Sequence, residues 1–519
     1  MNLPLISLHR GHNATVAVYH NNDIVEVIEL ERFIGKKNAS FDSFEPIHTK
    51  EFILGEVYKY LQSKYGFVKY QKFVYSEYKD DMPDKYKNKI PANEYIHDHS
   101  SHHSAHACNS LYQSNFDEAL IVSFDGGGPD GYFNIYIGKK GHELNKVGQH
   151  HIDLGSHYHV IGSVCSEIKN YHVLTAAGKV LGLQSYGKVI EEWKPAFYEF
   201  FMSPVPYWNN LDAKLQTLSE KVGVPFSKIH QLEGQQSFDF ARTAQEVFEE
   251  ITLKCIEEYV NQYKLPIIIT GGCALNIVLN TRIKEFFKRE VFVAPNSSDC
   301  GLAVGLLLKH IKPKNVIDVT YKGIDVLDQT NLMEYVESRN GNLSNLDTIV
   351  NDLVNNRILG VVQGKSEHGP RSLGNRSIIC SPILKDMKDI LNAKVKHREW
   401  FRPFAPIVRL EDVSEYFEWE GESRWMNFCP KVREQYKDKL PSITHVDGTA
   451  RVQTITREQN LFIYDLITKF KEKTGVGVLV NTSFNVDRKP ILSSYRDAFK
   501  VFDETQLDRL YLDGYYFTK

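Results

Sequence analysis

Alternating apolar and polar positions at the start of the chain predict a meander of three strands. β-Branched residues fill 15–18 and 24–28, and the polar run 20–23 supplies the turn between them. Residues 119–150 repeat this plan, with a strand, the glycine-rich loop 125–128, a second strand and a Lys-Lys-Gly-His turn. Two meanders, each with a glycine-bearing first loop, predict a duplicated fold.

Helical periodicity lies between and after the meanders. Residues 48–66 and 103–114 are predicted helices, and 238–263 carries an apolar stripe at helical spacing. A buried strand then ends at Gly271-Gly272, where two missing side chains let a ligand approach the backbone. After the strand EVFVAP and the loop that holds Asp299, a helix of small residues begins near residue 301.

A second α/β region is predicted after the polar turns of 311–345. It has strands near 358–363 and 476–481 and helices near 384–395 and 459–473. Actin-type and sugar-kinase-type ATPases are built from a duplicated unit. We therefore expect an α/β protein with a duplicated actin-like ATPase domain at 1–330 (the N-terminal region) and a second α/β domain with a twisted open sheet at 331–519 (the C-terminal region).

Composition excludes some classes of protein. A chain of 519 residues is too long for one hydrophobic core. Its net charge of −3 provides no overall positive field that would attract nucleic acid. The seven cysteines are scattered and never form Cys-x-x-Cys, so we expect a reducing, cytoplasmic location. No run of about twenty apolar residues is present, so we expect no membrane span.

A histidine pair is the first candidate for chemistry. On a helix, His102 and His106 would share one face, because side chains at i and i+4 lie over one another. This is a metal-ligand spacing, and the loop 125–128 that follows is suited to phosphate. A hydrated polar helix face is the alternative.

Four blocks of the C-terminal region are rich in phosphate-binding residue types: HGPRSLGNRS, NAKVKHREWFRPFAP, HVDGTARVQT and LVNTSFN. Guanidinium groups pair with phosphate oxygens through two hydrogen bonds. Interleaved Gly, Pro and Phe indicate a ligand pocket rather than a solvated face. The cations of the first two blocks are Arg371, Arg376, Lys394, Lys396, Arg398 and Arg402. Asn481, Ser483 and Asn485 add short donors and acceptors, with a helix cap as the alternative.

These blocks resemble the C-terminal signature of the O-carbamoyltransferases of nodulation-factor and antibiotic pathways. The N-terminal region is similar to the same family at GHNAT (11–15), ELERF (29–33), the histidine block, DGGG, 178–187, GGCALN and Asp299. It also resembles the tRNA threonylcarbamoyl transferase, and the C-terminal region resembles threonylcarbamoyl-adenylate synthases. The family's usual GHDAS is GHNAT here, which could change how His12 is oriented.

The resemblance implies an ATP-dependent enzyme with two reactions. Carbamoyl phosphate and ATP would give carbamoyl adenylate, with release of pyrophosphate and phosphate, and the carbamoyl group would then pass to an acceptor hydroxyl. His102, His106 and Asp299 would hold a divalent metal, Fe²⁺ before Zn²⁺ or Mn²⁺, while Mg²⁺ would accompany ATP. His12 would be the general base, and Arg371 and Arg402 would neutralise phosphate charge in catalysis.

The resemblance also implies a set of residues that bind the nucleotide and its phosphates. They are Asp125, Gly126, Gly127, Lys179, Gly271, Gly272, Asn276, Arg376, Lys394, Arg398, Asn481, Ser483 and Asn485.

The acceptor stays open at the level of sequence. A sugar or other small natural product is the family default. A hydroxymethylated pyrimidine, free or within nucleic acid, is the alternative, because residues 57–90 interleave basic and aromatic side chains. A homodimer is one assembly consistent with the family.

Three other functions are the rivals. One is an actin-like nucleotide-binding scaffold without catalysis, and another is a tRNA threonylcarbamoyl transferase. The third is a carbamoyltransferase that modifies a cysteine during metal-centre maturation, whose Cys-x-x-Cys zinc modules are missing from this sequence.

Overall fold

The structure is a computed structural model that describes residues 3–40, 50–76, 89–204 and 210–519. The expected mixed α/β class is confirmed. The strands are β1 (Leu5–His9), β2 (Thr15–His20), β3 (Asp23–Glu29), β4 (Tyr70–Ser76), β5 (Ala92–His97), β6 (Glu118–Gly128), β7 (Gly131–Lys139), β8 (Asn145–His150), β9 (Ile267–Thr270), β10 (Val291–Val293), β11 (Asn342–Leu343), β12 (Leu359–Val362), β13 (Arg376–Cys380), β14 (Ala405–Arg409), β15 (Gln453–Ile455), β16 (Val478–Ser483), β17 (Arg509–Leu512) and β18 (Tyr515–Thr518).

The α-helices lie between these strands, and five of the described helices follow one another between β8 and β9. They span Leu30–Ile34, Lys50–Tyr65, His102–Gln113, Leu154–Ile161, Val173–Leu183, Lys194–Phe201, Leu211–Val222, Gly234–Tyr263, Ile277–Phe287, Leu302–Ile311, Leu332–Ser338, Leu346–Val354, Met387–Ile390, Val413–Tyr416, Glu434–Lys437, Leu461–Thr474 and Tyr495–Glu504. Within the described ranges, no helix combines the length and hydropathy that a bilayer crossing requires.

Two five-stranded sheets form the N-terminal region. Their strand orders are β3-β2-β1-β4-β5 and β10-β9-β6-β7-β8. In each sheet an antiparallel meander comes first, and its first strand then pairs in parallel with the strand that follows the next helices. Parallel pairing brings the carboxyl end of β6, with Asp125, beside the end of β9, with Gly271.

Two helices pack between the two N-terminal sheets, and their crossing positions the side chains of His102 and Asp299. The helices His102–Gln113 and Leu302–Ile311 cross so closely that a Cβ at Gly305 would lie 2.0 Å from the carbonyl oxygen of Ala105. Only glycine permits this crossing. Because Asp299 comes just before one helix and His102 begins the other, the crossing brings their side chains to the same place.

The C-terminal region is built on an eight-stranded mixed sheet of order β11-β18-β17-β12-β13-β16-β14-β15. Its buried face shares a hydrophobic core with the second sheet, since residues such as Leu120, Phe248, Ile407 and Phe484 belong to one cluster. The first sheet has a separate hydrophobic core around Ile6. The domain boundary near residue 330 stays a prediction.

Most predicted helices have a counterpart. Those at 48–66, 103–114, 238–263 and 459–473 correspond to Lys50–Tyr65, His102–Gln113, Gly234–Tyr263 and Leu461–Thr474, with residues 48 and 49 outside the described part. The helix predicted near 384–395 corresponds to the short α-helix Met387–Ile390, which continues as a π-helix, Leu391–Lys396. The wider turn coincides with a Lys396 side chain that bonds back to the end of β16.

Candidate active site

Two histidines and two aspartates converge in the N-terminal region. The Nε2 atoms of His102 and His106 lie 2.8 and 3.2 Å from Oδ2 of Asp125. His106 Nε2 is also 3.5 Å from Oδ1 of Asp299. One ligand atom from each of these four residues falls within 4.8 Å of the others. We name this group the His/Asp cluster.

The donor set of the His/Asp cluster suits a divalent cation. His106 is fully buried, and among the described residues its Nδ1 has no hydrogen-bond partner, while its Nε2 faces two carboxylates without a well-directed hydrogen bond to either. Buried imidazole nitrogens rarely lack a partner unless an ion takes that place. Burial alone would raise the pKa of Asp299, but the charges of His12, His106 and His102 outweigh it and hold the pKa below its ordinary value. The lowered pKa favours the ionised form of the Asp299 carboxylate, which suits a cation.

Asp125 belongs to this cluster rather than to a nucleotide site alone. Its sequence position before three glycines suggested contact with phosphate, yet its carboxylate faces the two histidine rings. Its Oδ1 also accepts a hydrogen bond of 2.7 Å from the backbone N–H of Gly127. The carboxylate of Asp125 thus contacts both the glycine-rich loop and the histidines that could bind a metal ion.

His12 stands at the open side of the cluster. Its Nε2 is 3.3 Å from Oδ2 of Asp299, and about half of its side chain is exposed, at 49 %. His9 lies behind it, with Nε2 hydrogen-bonded to the backbone oxygen of His12 at 3.3 Å. The half-exposed imidazole of His12 is open to an incoming molecule in the cavity.

A cavity of about 1010 Å³ connects the His/Asp cluster with the C-terminal region. Side chains from both regions line it, so the two predicted sites share one space. The sequence-predicted residues that line it are His12, His102, Asp125, Gly126, Gly127, Lys179, Gly272, Asn276, Asp299, Arg371, Arg398, Arg402, Asn481, Ser483 and Asn485.

Three guanidinium groups, those of Arg371, Arg402 and Arg451, form what we call the arginine cluster on the C-terminal wall of the cavity. Arg371 and Arg451 make no hydrogen bond or ion pair with any residue in the part of the chain that the structure describes. The pKa of Arg371 is lowered to about 10, mainly because the group is buried and further because the positive charge of Arg402 is close. The pKa of Arg451 is lowered in the same way, mainly by burial and further by the positive charges of Arg371 and Arg402. Crowded, unpaired cations indicate a binding place for a multiply charged anion.

Neighbouring cations are held in place by the protein itself. Lys396 Nζ donates to Oδ1 of Asn485 at 2.6 Å and to Oγ of Ser483 at 3.3 Å. Arg398 donates to Asn392 Oδ1 at 2.7 Å and stacks on Phe404, with its guanidinium carbon 4.4 Å from the ring centre. These contacts fix the shape of the cationic wall.

Two predicted phosphate ligands do not reach the cavity. The guanidinium of Arg376 is fully buried and donates to the backbone oxygens of Gln363 at 2.7 Å and Gly364 at 2.9 Å. Arg376 therefore ties a turn of the chain together, which corrects its expected role. Lys394 is exposed on the outer side of the π-helix and does not line the cavity.

The remaining glycine and amide positions surround the glycine-rich loop. Gly127 has a φ of +100°, and a Cβ there would meet the ring of Tyr132 at 2.4 Å. Gly271 lies one residue outside the lining, with a φ of +87°. Asn276 caps the helix Ile277–Phe287 and is held by Gln245 through hydrogen bonds of 3.0 and 3.2 Å. Lys179 also forms an ion pair of 2.7 Å with Glu399.

The sequence reasoning missed Arg451 as a site residue. It lies in the HVDGTARVQT block, whose composition was noted, but a single arginine in a polar run gave no signal of its own. Its place in the arginine cluster depends on the fold of the C-terminal sheet, where residues 449–451 lead into β15.

Several aromatic side chains in the described part of the basic and aromatic stretch at 57–90 pack inward. Residues 77–88 lie outside the described part, but the hydroxyl of Tyr60 bonds the buried carboxylate of Glu26 at 2.7 Å, as does Tyr65. Tyr70 and Phe73 are fully buried. These rings serve the core of the first sheet, so they are not free to stack on nucleic-acid bases.

The cavity has potential metal ligands at one end and unpaired guanidinium groups at the other. This combination is typical of group-transfer enzymes that act on phosphorylated substrates. The chain belongs to the carbamoyltransferase family. The family model for the carbamoyltransferase N-terminus matches residues 6–308, and the model for the carbamoyltransferase C-terminus matches residues 350–519. The resemblance seen in the sequence is thereby confirmed.

Individual relatives span the chain to different extents. Nodulation protein NolO of Bradyrhizobium diazoefficiens is 33 % identical over 441 residues, which cover 79 % of this chain and 77 % of that protein. An uncharacterized protein of Methanocaldococcus jannaschii is 29 % identical and is covered to 99 %, as is this chain. The 3'-hydroxymethylcephem-O-carbamoyltransferase of Amycolatopsis lactamdurans is 34 % identical over 239 residues, 45 % of each chain.

Proposed function

We propose that the protein is an ATP-dependent O-carbamoyltransferase that makes carbamoyl adenylate at the arginine cluster and transfers its carbamoyl group beside the His/Asp cluster. The observation that carries this proposal is the single cavity, which both clusters line. An acyl adenylate that stays in one enclosed space is protected from water between the two reactions.

In the first reaction, water cleaves carbamoyl phosphate to phosphate and carbamate. A carbamate oxygen then attacks the α-phosphorus of ATP, and the bond to pyrophosphate breaks. Arg371, Arg402 and Arg451 stabilise the negative charge of the phosphate groups, because their guanidinium groups already line the cavity and those of Arg371 and Arg451 have no pairing partner to leave. Mg²⁺ would accompany ATP.

In the second reaction, the acceptor hydroxyl oxygen attacks the carbonyl carbon of carbamoyl adenylate, and the bond to AMP breaks. His12 accepts the hydroxyl proton, since its half-exposed imidazole lines the cavity beside Asp299. His102, His106, Asp125 and Asp299 would hold a divalent cation, with Fe²⁺ favoured over Zn²⁺ or Mn²⁺, which would supply Lewis acidity to the carbonyl and phosphate oxygens.

The nucleotide would lie between the two clusters. Gly126, Gly127, Gly272 and Asn276 line the cavity here, and the absence of glycine side chains lets phosphate groups approach the backbone closely. We infer that the N-terminal region is a duplicated actin-type ATPase unit. The shared strand order of its two five-stranded sheets supports this inference.

For the acceptor we favour a sugar or other small natural product over a nucleic-acid base. Rings that could stack on bases, such as Tyr65 and Tyr70, are used in packing. The relative named as a cephem O-carbamoyltransferase is consistent with a small hydroxyl-bearing acceptor.

Mass spectrometry of candidate acceptors tests the function. Aminosugars, nucleosides and hydroxymethylated DNA are each incubated with the protein, ATP and carbamoyl phosphate, and pyrophosphate is measured in parallel. We expect pyrophosphate release that depends on carbamoyl phosphate and one acceptor that gains a carbamoyl group. A nucleotide-binding scaffold would release none, and a tRNA threonylcarbamoyl transferase would modify tRNA only.

A further inference from the structure

Arg371 depends on its backbone for its position. Because no described residue hydrogen-bonds or ion-pairs with its guanidinium, the backbone of the loop 367–373 has a large share in deciding where the group lies. This loop lies in the C-terminal region, and side chains of both regions hold it. Glu367, Asn481 and Gln453 bond its residues 372 and 373 from the C-terminal region. Arg32 and Glu29 bond residues 367 and 369 from the N-terminal region.

Arg32 and Glu29 hold the loop from one side. Arg32 is buried in the helix Leu30–Ile34 and donates to the backbone oxygens of Glu367, at 2.5 Å, and of Gly369. Glu29 Oε1 accepts from the backbone N–H of Gly369 at 2.8 Å and pairs with Arg32 at 3.2 Å. The planar guanidinium spans two carbonyl groups, which the single ammonium group of a lysine would not reproduce.

His368 holds the loop from the other side. Its Nε2 donates to the backbone oxygen of Cys300 at 2.9 Å, and its Nδ1 accepts from Asn296 at 3.1 Å. Both bonds fit a neutral ring, since burial lowers the pKa of His368 to about 3. Gly369 has a φ of +120°, and a Cβ there would be 2.4 Å from the backbone oxygen of Pro295.

We propose that Arg32, together with Glu29, is a positioning residue for Arg371, so that the N-terminal region completes the anion site of the C-terminal region. This inference rests on the proposed function and extends it. Through His368 the same loop also contacts Asn296 and Cys300, which lie on the segment that holds Asp299. Displacing a positioned group by about 1 Å can cost about 100-fold in rate.

The test is Arg32→Lys, measured by pyrophosphate release without acceptor and by calorimetric binding of inorganic pyrophosphate. We expect the KM for carbamoyl phosphate to rise, and pyrophosphate affinity to fall, by about tenfold or more. A partly unfolded preparation would lower kcat and leave KM unchanged, so the KM separates positioning from folding. Arg409→Lys is the matched control, because Arg409 also donates two bonds, to Asp412, but lies off the cavity.

A double variant tests whether Arg32 acts through Arg371. In an Arg371→Ala background, Arg32→Lys should change pyrophosphate affinity less than about twofold, because the group that it positions is gone. An equal loss in both backgrounds would overturn the inference, as would an unchanged KM in Arg32→Lys alone.

Other outcomes are equally decisive. If the wild-type protein releases no pyrophosphate with carbamoyl phosphate, the proposed function fails, and pyrophosphate binding alone then decides whether Arg32 positions Arg371. If Arg32→Lys does not fold, Glu29→Gln replaces it. That variant keeps an acceptor for Gly369 but loses the pair with Arg32, so a smaller change in the same direction is expected, and none would refute the inference.

Discussion

Replacing Arg371 with methionine should make the ligand-free protein more stable and the enzyme nearly inactive. The pKa of Arg371 falls from 12.5 to about 10, first through burial and then through Arg402, which corresponds to about 3 kcal/mol of unfavourable environment for the charged group. For a base with a lowered pKa, this cost is fully present at neutral pH and is relieved only as the pH rises above about 10. Methionine has a similar length and no charge, so we expect a gain of about 1–3 kcal/mol at pH 7.

Calorimetry with and without inorganic pyrophosphate measures both halves of this prediction. At 100 times its Kd, pyrophosphate should stabilise the wild-type protein by about 2.7 kcal/mol, and this stabilisation should disappear in Arg371→Met. Pyrophosphate release should fall by about 100-fold or more, because a charge-stabilising group is lost from the reaction.

Arg409→Met is the control, and its effect on the free energy of unfolding should be opposite to that of Arg371→Met. Arg409 is paired with Asp412 at 2.6 Å, so its removal should destabilise the protein by about 1 kcal/mol and leave pyrophosphate binding intact. A ligand-free Arg371→Met protein that melts below the wild type, or one still stabilised by pyrophosphate, would refute the reasoning that the arginine cluster is a strained anion site.

Three further predictions concern the N-terminal region. Asp125→Asn should lower metal affinity by about tenfold or more, measured by elemental analysis after dialysis, and unchanged metal content would contradict its place among the ligands. His12→Ala should slow carbamoyl transfer by about 100-fold or more while pyrophosphate release without acceptor persists; a parallel loss of both activities would exclude a role confined to proton transfer. Asp153 is buried, which raises the pKa of its carboxyl to about 7, so the folded state is favoured at low pH and loses that stability as the pH rises from 3.8 to about 7. Asp153→Asn keeps the cap on Ser156 and should therefore raise the melting temperature above pH 7 but not near pH 4; a gain independent of pH would contradict this cause.

Much of the fold could be predicted because its signals are local. The two meanders, the long helix Gly234–Tyr263 and the strand Ile267–Thr270 follow from alternation and helical periodicity. The π-helix Leu391–Lys396 could not be foreseen, because it coincides with a contact between Lys396 and the end of β16, almost ninety residues away.

The candidate site could be predicted by residue type but not fully by role. His102 and His106 are one helical turn apart, so their shared face was evident from spacing. Asp125 looked like a phosphate residue because three glycines follow it, and only the packing of β6 against the helix His102–Gln113 turns its carboxylate to the histidines. Arg376 looked like Arg371, but one is buried against backbone oxygens and the other faces the cavity.

The amino-acid sequence by itself determined the family, the mixed α/β class, the histidine pair and the cationic blocks, since motif order and periodicity are properties of neighbouring residues. Only the tertiary structure decided which cations line the cavity, which carboxylates meet the histidines, and that Arg32 reaches the loop of Arg371. These are contacts between residues hundreds of positions apart. Their geometry depends on how sheets and helices pack, which no local pattern encodes.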